Sequence, residues 1–450
     1  MASTIKVNKI VKNDGSTIEL GGPSTAVTLA CGATQSGFGR TGTVDWCTTA
    51  KTGPLTAVSG NGYFINTTGG VITVTLPSSP SAGDIVAFKD YANTWDTNAV
   101  TVGRNGSKIN GGCACATLNT DSQSVTLIYV DGTKGWQDIH DSTSDVTGSE
   151  YVTATGGTIT TSGDYKIHTF TGNGCFQVTA AGNAGGSNKI SYLVIAGGGG
   201  GAGNPGAVDG SAGAGAGGFR EGKCTSDPYT ASPLATTALS ASVATFPITV
   251  GAGGTAGPSS SNGGNGANSI FSTITSAGGG GGNYPNAVSP TTGAGGSGSG
   301  AAASPSPGTF AAGNTPPVSP PQGNPGGAYV SCGQSAAGGG GGAGAVGGTA
   351  PSKTVAGAGG AGATTSINAS PVQRAGGGGG SAYPAGTGGA GGAGGGGKGG
   401  LAPGNPSPAG LAGTANTGGG GGAANANPGN PNPGGAGGSG IVIMRYKFQN

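Results

Sequence analysis

Five runs of five consecutive glycines, at 197–201, 278–282, 338–342, 376–380 and 418–422, constrain this chain more than any other feature. Four of them follow an alanine, and Gly/Ala stretches of similar length recur at 210–218, 355–363 and 386–400. A fixed run length marks a structural unit, because random enrichment would give a broad spread of lengths. A helix interior is excluded, since each glycine there costs about 1 kcal/mol relative to alanine. Collagen is excluded as well, because glycine never settles into every third position with proline following. Bare glycine does adopt the polyproline-II conformation, with three residues per turn and a rise of about 3.1 Å. Such helices approach one another on every face and pair backbone N–H with C=O, supported by Cα–H···O contacts. A run of five to eight residues spans roughly 15–25 Å, with the intervening segments as loops at the bundle ends. Glycine loses the most entropy on ordering, so the bundle needs packed strands to clamp it. The competing expectation is a flexible linker.

Charge placement separates these two. Glycine supplies 28 of the first 195 residues and 78 of the remaining 255. All sixteen acidic residues lie at or before Asp227, and beyond it only Lys353, Arg374, Lys398, Arg445 and Lys447 are ionised. A disordered tail normally stays soluble through net charge, which this one lacks. The overall balance of +2 leaves no electrostatic footprint for nucleic acid or an anionic membrane, so neither is expected as a partner. No window holds eighteen apolar residues, so no membrane span is expected. The opening Met1–Ile10 has no apolar core of a secretion signal. The seven cysteines are odd in number and thinly spread, which does not read as a disulfide framework. Synthesis in a reducing cytoplasm is the expectation.

Along the chain, residues 1–30 alternate around an Asn13-Asp14-Gly15 turn, with Ile5, Val7, Ile10 and Ile18 as the apolar positions. Thirty residues bury no core of their own, so this segment either attaches to another body or to sister chains, or stays a frayed arm. Residues 31–147 carry short strands at 62–66, 71–76, 84–88, 99–102 and 124–130 between turn clusters, which predicts a small β-sandwich or barrel. Residues 148–195 add β-strands at 165–170, 175–178 and 190–195 that lead into the glycine-rich domain, 196–450. Islands of apolar alternation at 246–250 and 269–274, and a closing strand within 440–448, are the expected clamp. The predicted fold class is therefore all-β modules followed by a polyglycine-II helical bundle clamped by β-strands, with essentially no α-helix.

Chemical motifs are sparse. Gly392–Gly399, with Lys398, superficially matches a phosphate-binding loop but lacks the following Ser/Thr and a preceding apolar strand. Cys113 and Cys115 would begin a metal site, yet only His140 and His168 are available as histidine ligands and no second cysteine pair lies near. No cofactor or metal is expected. Asp84, Asp90, Asp96, Asp121, Asp131 and Asp138 offer carboxylates for glycoside cleavage, but most sit beside Gly, Asn or Thr, where turns place Asp anyway. No nucleophile elbow is present, and no enzyme is predicted. The loop aromatics Tyr284, Phe310, Tyr329 and Tyr383 are the candidate recognition residues, because aromatic rings on Gly/Asn/Ser-rich loops make adaptable binding surfaces. Packing against the bundle end is the alternative role for them.

Three segments carry a resemblance. The opening Ser3–Ile10 resembles the start of tail-fibre proteins of marine, especially cyanobacterial, bacteriophages. The stretch from Gly62 through Leu76–Asp84 to Asn105–Asn110 looks like a module of the same proteins. Tyr192–Gly201, Ile248–Gly254 and Gly440–Tyr446 resemble the glycine-rich domain of phage fibres and adhesins. The resemblance implies a homotrimeric virion appendage, assembled in the host cytoplasm and attached to tail or baseplate proteins through its N-terminus. It implies recognition of a host surface glycan or outer-membrane protein by loops between glycine runs. Two other expectations stand beside it: a purely structural virion decoration or self-assembling extracellular filament, and a tail-associated glycan depolymerase.

Overall fold

A computed structural model describes residues 44–142, 149–204, 209–285, 293–303, 310–330, 335–383, 386–401, 409–425 and 432–449. The paired strands expected over 1–30, with Ile5, Val7, Ile10 and Ile18, lie outside the described residues. No α-helix occurs among the described residues, and no helix is long and apolar enough to cross a membrane. The chain divides into two compact units, Met1–Val146 and Thr147–Asn450.

The first unit holds β1 (Asp45–Lys51), β2 (Leu55–Thr56), β3 (Asn61–Ile65), β4 (Ile72–Thr75) and β5 (Ile85–Asp90). They are followed by β6 (Val100–Gly103), β7 (Ala116–Leu118), β8 (Ser124–Asp131) and β9 (Gly135–Ser142). Two sheets, ordered β1-β3-β5-β8-β9 and β2-β4-β6-β7, enclose one core. Alternation puts Ile72 and Val74 inward from β4, and Val100 and Val102 inward from β6. Trp95 and Trp136 are fully buried in the same core. From β1 to β6 the chain passes from one sheet to the other at every step, and like strands pair in parallel. Only β7, β8 and β9 close the two sheets antiparallel.

The second unit begins with β10 (Val152–Thr155), β11 (Thr158–Ser162), β12 (Tyr165–Phe170), β13 (Gly174–Ala181), β14 (Lys189–Ile195) and β15 (Phe219–Lys223). It continues with β16 (Ala235–Thr237), β17 (Leu239–Ser240), β18 (Ala244–Thr249), β19 (Ser269–Phe271) and β20 (Ile274–Ser276). The last strands are β21 (Ala363–Thr365), β22 (Val372–Arg374) and β23 (Ile441–Lys447). The closing strand is central, sitting between β12 and β14 in the order β11-β12-β23-β14-β15-β16. Both of its faces are buried, as are those of β14, which is why both read as continuous apolar runs. Tyr192, Val194, Val442, Met444 and Tyr446 meet Phe176, Val178, Ile248 and Phe271 of the sheet β10-β13-β18-β19-β20. On the opposite face Leu193, Ile195, Ile441 and Ile443 pack with Phe219, Ile367 and the small residues Ala216, Ala343 and Ala375. Arg445 lies on that second face, 4.5 Å from the Tyr165 ring centroid and 5.4 Å from that of Tyr229. Burial pushes the Asp227 carboxyl up, against the 2.5 Å hydrogen bond from Ser191 Oγ and the Arg445 charge, which pull it down.

All five glycine runs are buried over their whole length and outside any strand. Their backbone pairing has a period of three. Gly197, Gly200 and Gly203 donate to the carbonyls of Ala267, Gly264 and Ser261, at 2.8–3.1 Å. Gly198, Gly201 and Asn204 donate to Gly438, Gly435 and Asn432, and Gly199 donates to Gly215. The carbonyls of the same run accept from three further segments: Gly279 and Gly282, Gly254 and Gly257, Gly421 and Ala424. The segment from Ala212 to Gly218 repeats the arrangement, donating in turn to 277–283, 338–341 and 418–421. A strand would bond sideways every second residue; here successive residues turn to three different neighbours. The outermost segment shows the same period in its exposure, with Gly251, Gly254 and Gly257 buried and Ala252, Thr255 and Pro258 exposed. Close approach explains the composition: a Cβ on Gly199 would stand 2.2 Å from the Gly280 carbonyl oxygen, and one on Gly200 1.9 Å from that of Thr255.

Candidate recognition end of the glycine array

The array has two unlike ends. At one, its segments run into the sheets. Ala196 donates to Gly218, Gly218 to Ala277 and Gly440 to Gly251, while Ser269 Oγ joins Ile195 O (2.8 Å) to Gly251 N (2.9 Å). At the other end, glycine gives way to buried polar side chains. Asn204 Nδ2 donates to Asp209 O (2.9 Å) and Ser211 Oγ (3.1 Å), and Ser211 Oγ donates to Gly203 O (2.9 Å). Ser335 Oγ donates to Asp209 Oδ1 (3.1 Å), and Ser211 N donates to Ser381 Oγ (2.8 Å). Asn204, Asp209, Ser211, Ser335 and Ser381 are all buried. This polar layer ties together segments whose bare backbones would otherwise fray where the glycine stops.

Of the four predicted recognition residues, the three tyrosines lie close in sequence to residues that bond to this layer or to segments adjoining it, and Phe310 lies farther along. Ala336 bridges to Ala382 and accepts from Val330 N (3.3 Å), so the neighbours of Tyr329 and Tyr383 are joined through one intermediate segment. Tyr284 follows Asn283, whose carbonyl accepts from Ala212 N (2.9 Å), and its own N–H donates to Asn262 Oδ1 (2.9 Å). Phe310 precedes Ala311, which donates to Ser299, four residues before the Ala303 that reaches Gly210. Phe310 is 50% exposed, whereas Tyr284, Tyr329 and Tyr383 are half-buried, so each tyrosine combines a packed side with an accessible one. The connecting segments 205–208, 331–334, 384–385 and 426–431 lie outside the described residues.

Two features escaped prediction although the sequence carries them. Prolines follow the runs that travel away from the sheets: Pro205, Pro285, Pro305, Pro384, Pro403 and Pro428. A proline disfavours further donation along the same path, and so marks the end of the array. Asn262, Asn265 and Asn268, spaced by three, line one side of a segment and accept from Tyr284, Gly281 and Gly278 N–H at 2.8–2.9 Å. There the carboxamide replaces the carbonyl of a missing neighbour.

Several of the remaining motif residues make hydrogen bonds within the fold. Gly392, Gly396, Gly397 and Gly399 spend their N–H groups on carbonyls within the array. Asp84 accepts from Ser59 Oγ and Ser81 N, Asp131 from Thr133 N and Lys134 N, and both fix turns. Asp90, 2% exposed, accepts from the N–H groups of Ala92, Thr94, Trp95 and Ser122 and pins two loops over Trp95. Asp121 Oδ1 accepts from Asp96 N (3.2 Å) on the open surface. The five described cysteines are free thiols, Cys113 and Cys115 exposed among them. No group of three or more metal-ligating side chains occurs among the described residues.

The buried, three-neighbour glycine backbone closed by β14 and β23 defines a glycine-rich structural domain. A family profile described as "Glycine-rich domain" matches residues 171–447, more than half of the chain, and the protein belongs to that family. Among proteins of curated function, none matches this sequence.

Proposed function

We propose that the glycine runs form a polyglycine-II bundle and that the chain is a non-enzymatic bacteriophage tail fibre, recognising the host surface at the bundle end farthest from the sheets. The observation that carries this is the polarity of the array. Strands clamp one end, and the other gathers Tyr284, Tyr329 and Tyr383 beside the segments that join the runs. A three-residue turn rising about 3.1 Å per residue accounts for N–H groups that address three neighbours in succession. From Ala196 to Asn204 such a run carries the chain about 25 Å from the sheets. The ligand is a host surface glycan or outer-membrane protein, and affinity comes from several chains of a homotrimer engaging together. The N-terminal residues, including Ile5, Val7, Ile10 and Ile18, attach the fibre to tail or baseplate proteins.

The test is adsorption of the purified chain to bacterial cells. The wild type binds a host, and the combined Tyr284→Ala, Tyr329→Ala, Tyr383→Ala variant, with an unchanged melting temperature, loses at least about tenfold in affinity. Filament formation by a chain that adsorbs to no cell would instead support the structural-assembly alternative. Loss of polysaccharide from the cells would support the depolymerase.

A further inference from the structure

A cleft of about 200 Å³ opens in the first unit between the edge strands β7 and β9, where the two sheets part. Its floor is apolar, with Val102, Leu118 and Leu127, and its rim carries Asn110, Gln123, Asp138 and Asp141. A β-bulge assembles that rim. Asp141 pairs with Val125, and Asp138 with Leu127, while Ile139 is the extra residue between Asp138 and His140. In an unbroken strand, residues three apart face opposite sides; the bulge turns both carboxylates to the core-facing side that Val125 and Leu127 share. Asp138 Oδ1 accepts from Asn110 Nδ2 (2.8 Å), and Asp141 Oδ1 accepts from Gln123 Nε2 (3.0 Å).

The decisive group is Gln123. Its side chain is 9% exposed, and its Oε1 is buried with no hydrogen-bond partner. A carboxylate only accepts, so the bond to Asp141 fixes Nε2 on that side and leaves Oε1 as the unpaired acceptor. A buried acceptor without a donor forfeits the bonds it would make to water, a loss with no structural return here. The cleft therefore presents a surplus of acceptors, two carboxylates and one amide oxygen, above an apolar floor. At about 30 Å³ per water, its volume matches roughly seven waters.

We propose that this cleft binds a single sugar residue, whose hydroxyls donate to Gln123 Oε1, Asp138 and Asp141 while its C–H face lies on Val102, Leu118 and Leu127. It is a second site, and it does not depend on the role given to the glycine array. Inward carboxylates on an edge strand also discourage edge-to-edge pairing, and that purely protective role makes a different prediction.

Ligand-observed saturation-transfer NMR on the full chain decides the matter, with glucose, galactose, mannose and N-acetylglucosamine as probes and choline as an ammonium of comparable size. At least one sugar gives saturation transfer, and Gln123→Leu weakens it at least about tenfold while the melting temperature holds or rises, because an unpaired buried acceptor has been removed. Asp138→Asn, at an exposed rim position, weakens the same sugar without affecting the fold. Saturation of choline alone, of no probe, or of a sugar equally well by wild type and both variants overturns the proposal.

Discussion

His168 shows how one buried polar side chain ties the strands of the second unit together. It is fully buried, edge-on to Phe176, with Nδ1 2.7 Å from Gly156 O and Nε2 3.0 Å from the Tyr446 hydroxyl. A carbonyl only accepts, so Nδ1 carries the proton and Nε2 accepts from Tyr446, which fixes the neutral tautomer. Burial holds the imidazole below its ordinary range, against the Gly156 carbonyl, which pulls the other way. Burial likewise pushes the Tyr446 phenol up to about 12. Because the folded protein binds the His168 proton less readily than the unfolded chain, this residue's stabilisation is complete above about pH 6.5 and is lost as pH falls through the lower folded value. His168→Phe should cost about 1–3 kcal/mol at pH 7.5, since Gly156 and Tyr446 lose their partner. That deficit should narrow between pH 6.5 and pH 5 in thermal melts of the two proteins. An equal deficit at both pH values would mean that His168 does not titrate with unfolding.

At the scale of elements, the glycine runs have to be glycine for reasons of space. Gly199→Ala should destabilise by about 1–3 kcal/mol or more, because its Cβ meets the Gly280 carbonyl at 2.2 Å and the surrounding backbone is itself hydrogen-bonded. Gly172→Ala, where nothing lies within 4 Å, should stay within about 0.5 kcal/mol in the same denaturation assay. Similar costs at the two positions would remove close packing as the reason for the composition. Much at this scale was legible beforehand. The strands at 62–66, 165–170, 190–195 and 440–446 are marked by apolar alternation or apolar runs, and the fixed glycine length marks the array. Strand β9 was missed because Gln137, Asp138, His140 and Asp141 give it no apolar alternation beyond Trp136. The winding of β1 to β6 between two sheets was equally hidden, since turn residues signal a change of direction but not the pairing partner. Candidate recognition residues were visible as loop aromatics, yet the bonds that bring the segments carrying Tyr329 and Tyr383 to one end, Ser335 to Asp209 and Ser211 to Ser381, join residues over a hundred positions apart. Nothing local encodes those contacts. The bond from Ser211 to Ser381 in the polar layer is such a contact too, whereas the cleft at Gln123 is built by side-chain pairs 18 and 28 positions apart that no local pattern announces.

Across the second unit, the glycine runs are held by hydrogen bonds from their backbone to three directions in turn, at a period of three. Residue-resolved amide hydrogen exchange, read by NMR on the intact chain, tests this most directly. Amides of 197–201 and 213–218 should exchange as slowly as those of β14 and β23, because their N–H groups are buried and bonded. In the outermost segment protection should recur at every third residue, high at Gly251, Gly254 and Gly257, which donate to Ser269 Oγ, Gly198 and Gly201, and low at exposed Ala252 and Thr255. Exchange at unfolded-chain rates throughout the runs would reduce the glycine region to a linker. Protection alternating with a period of two would make it an ordinary sheet, and either result would contradict the account.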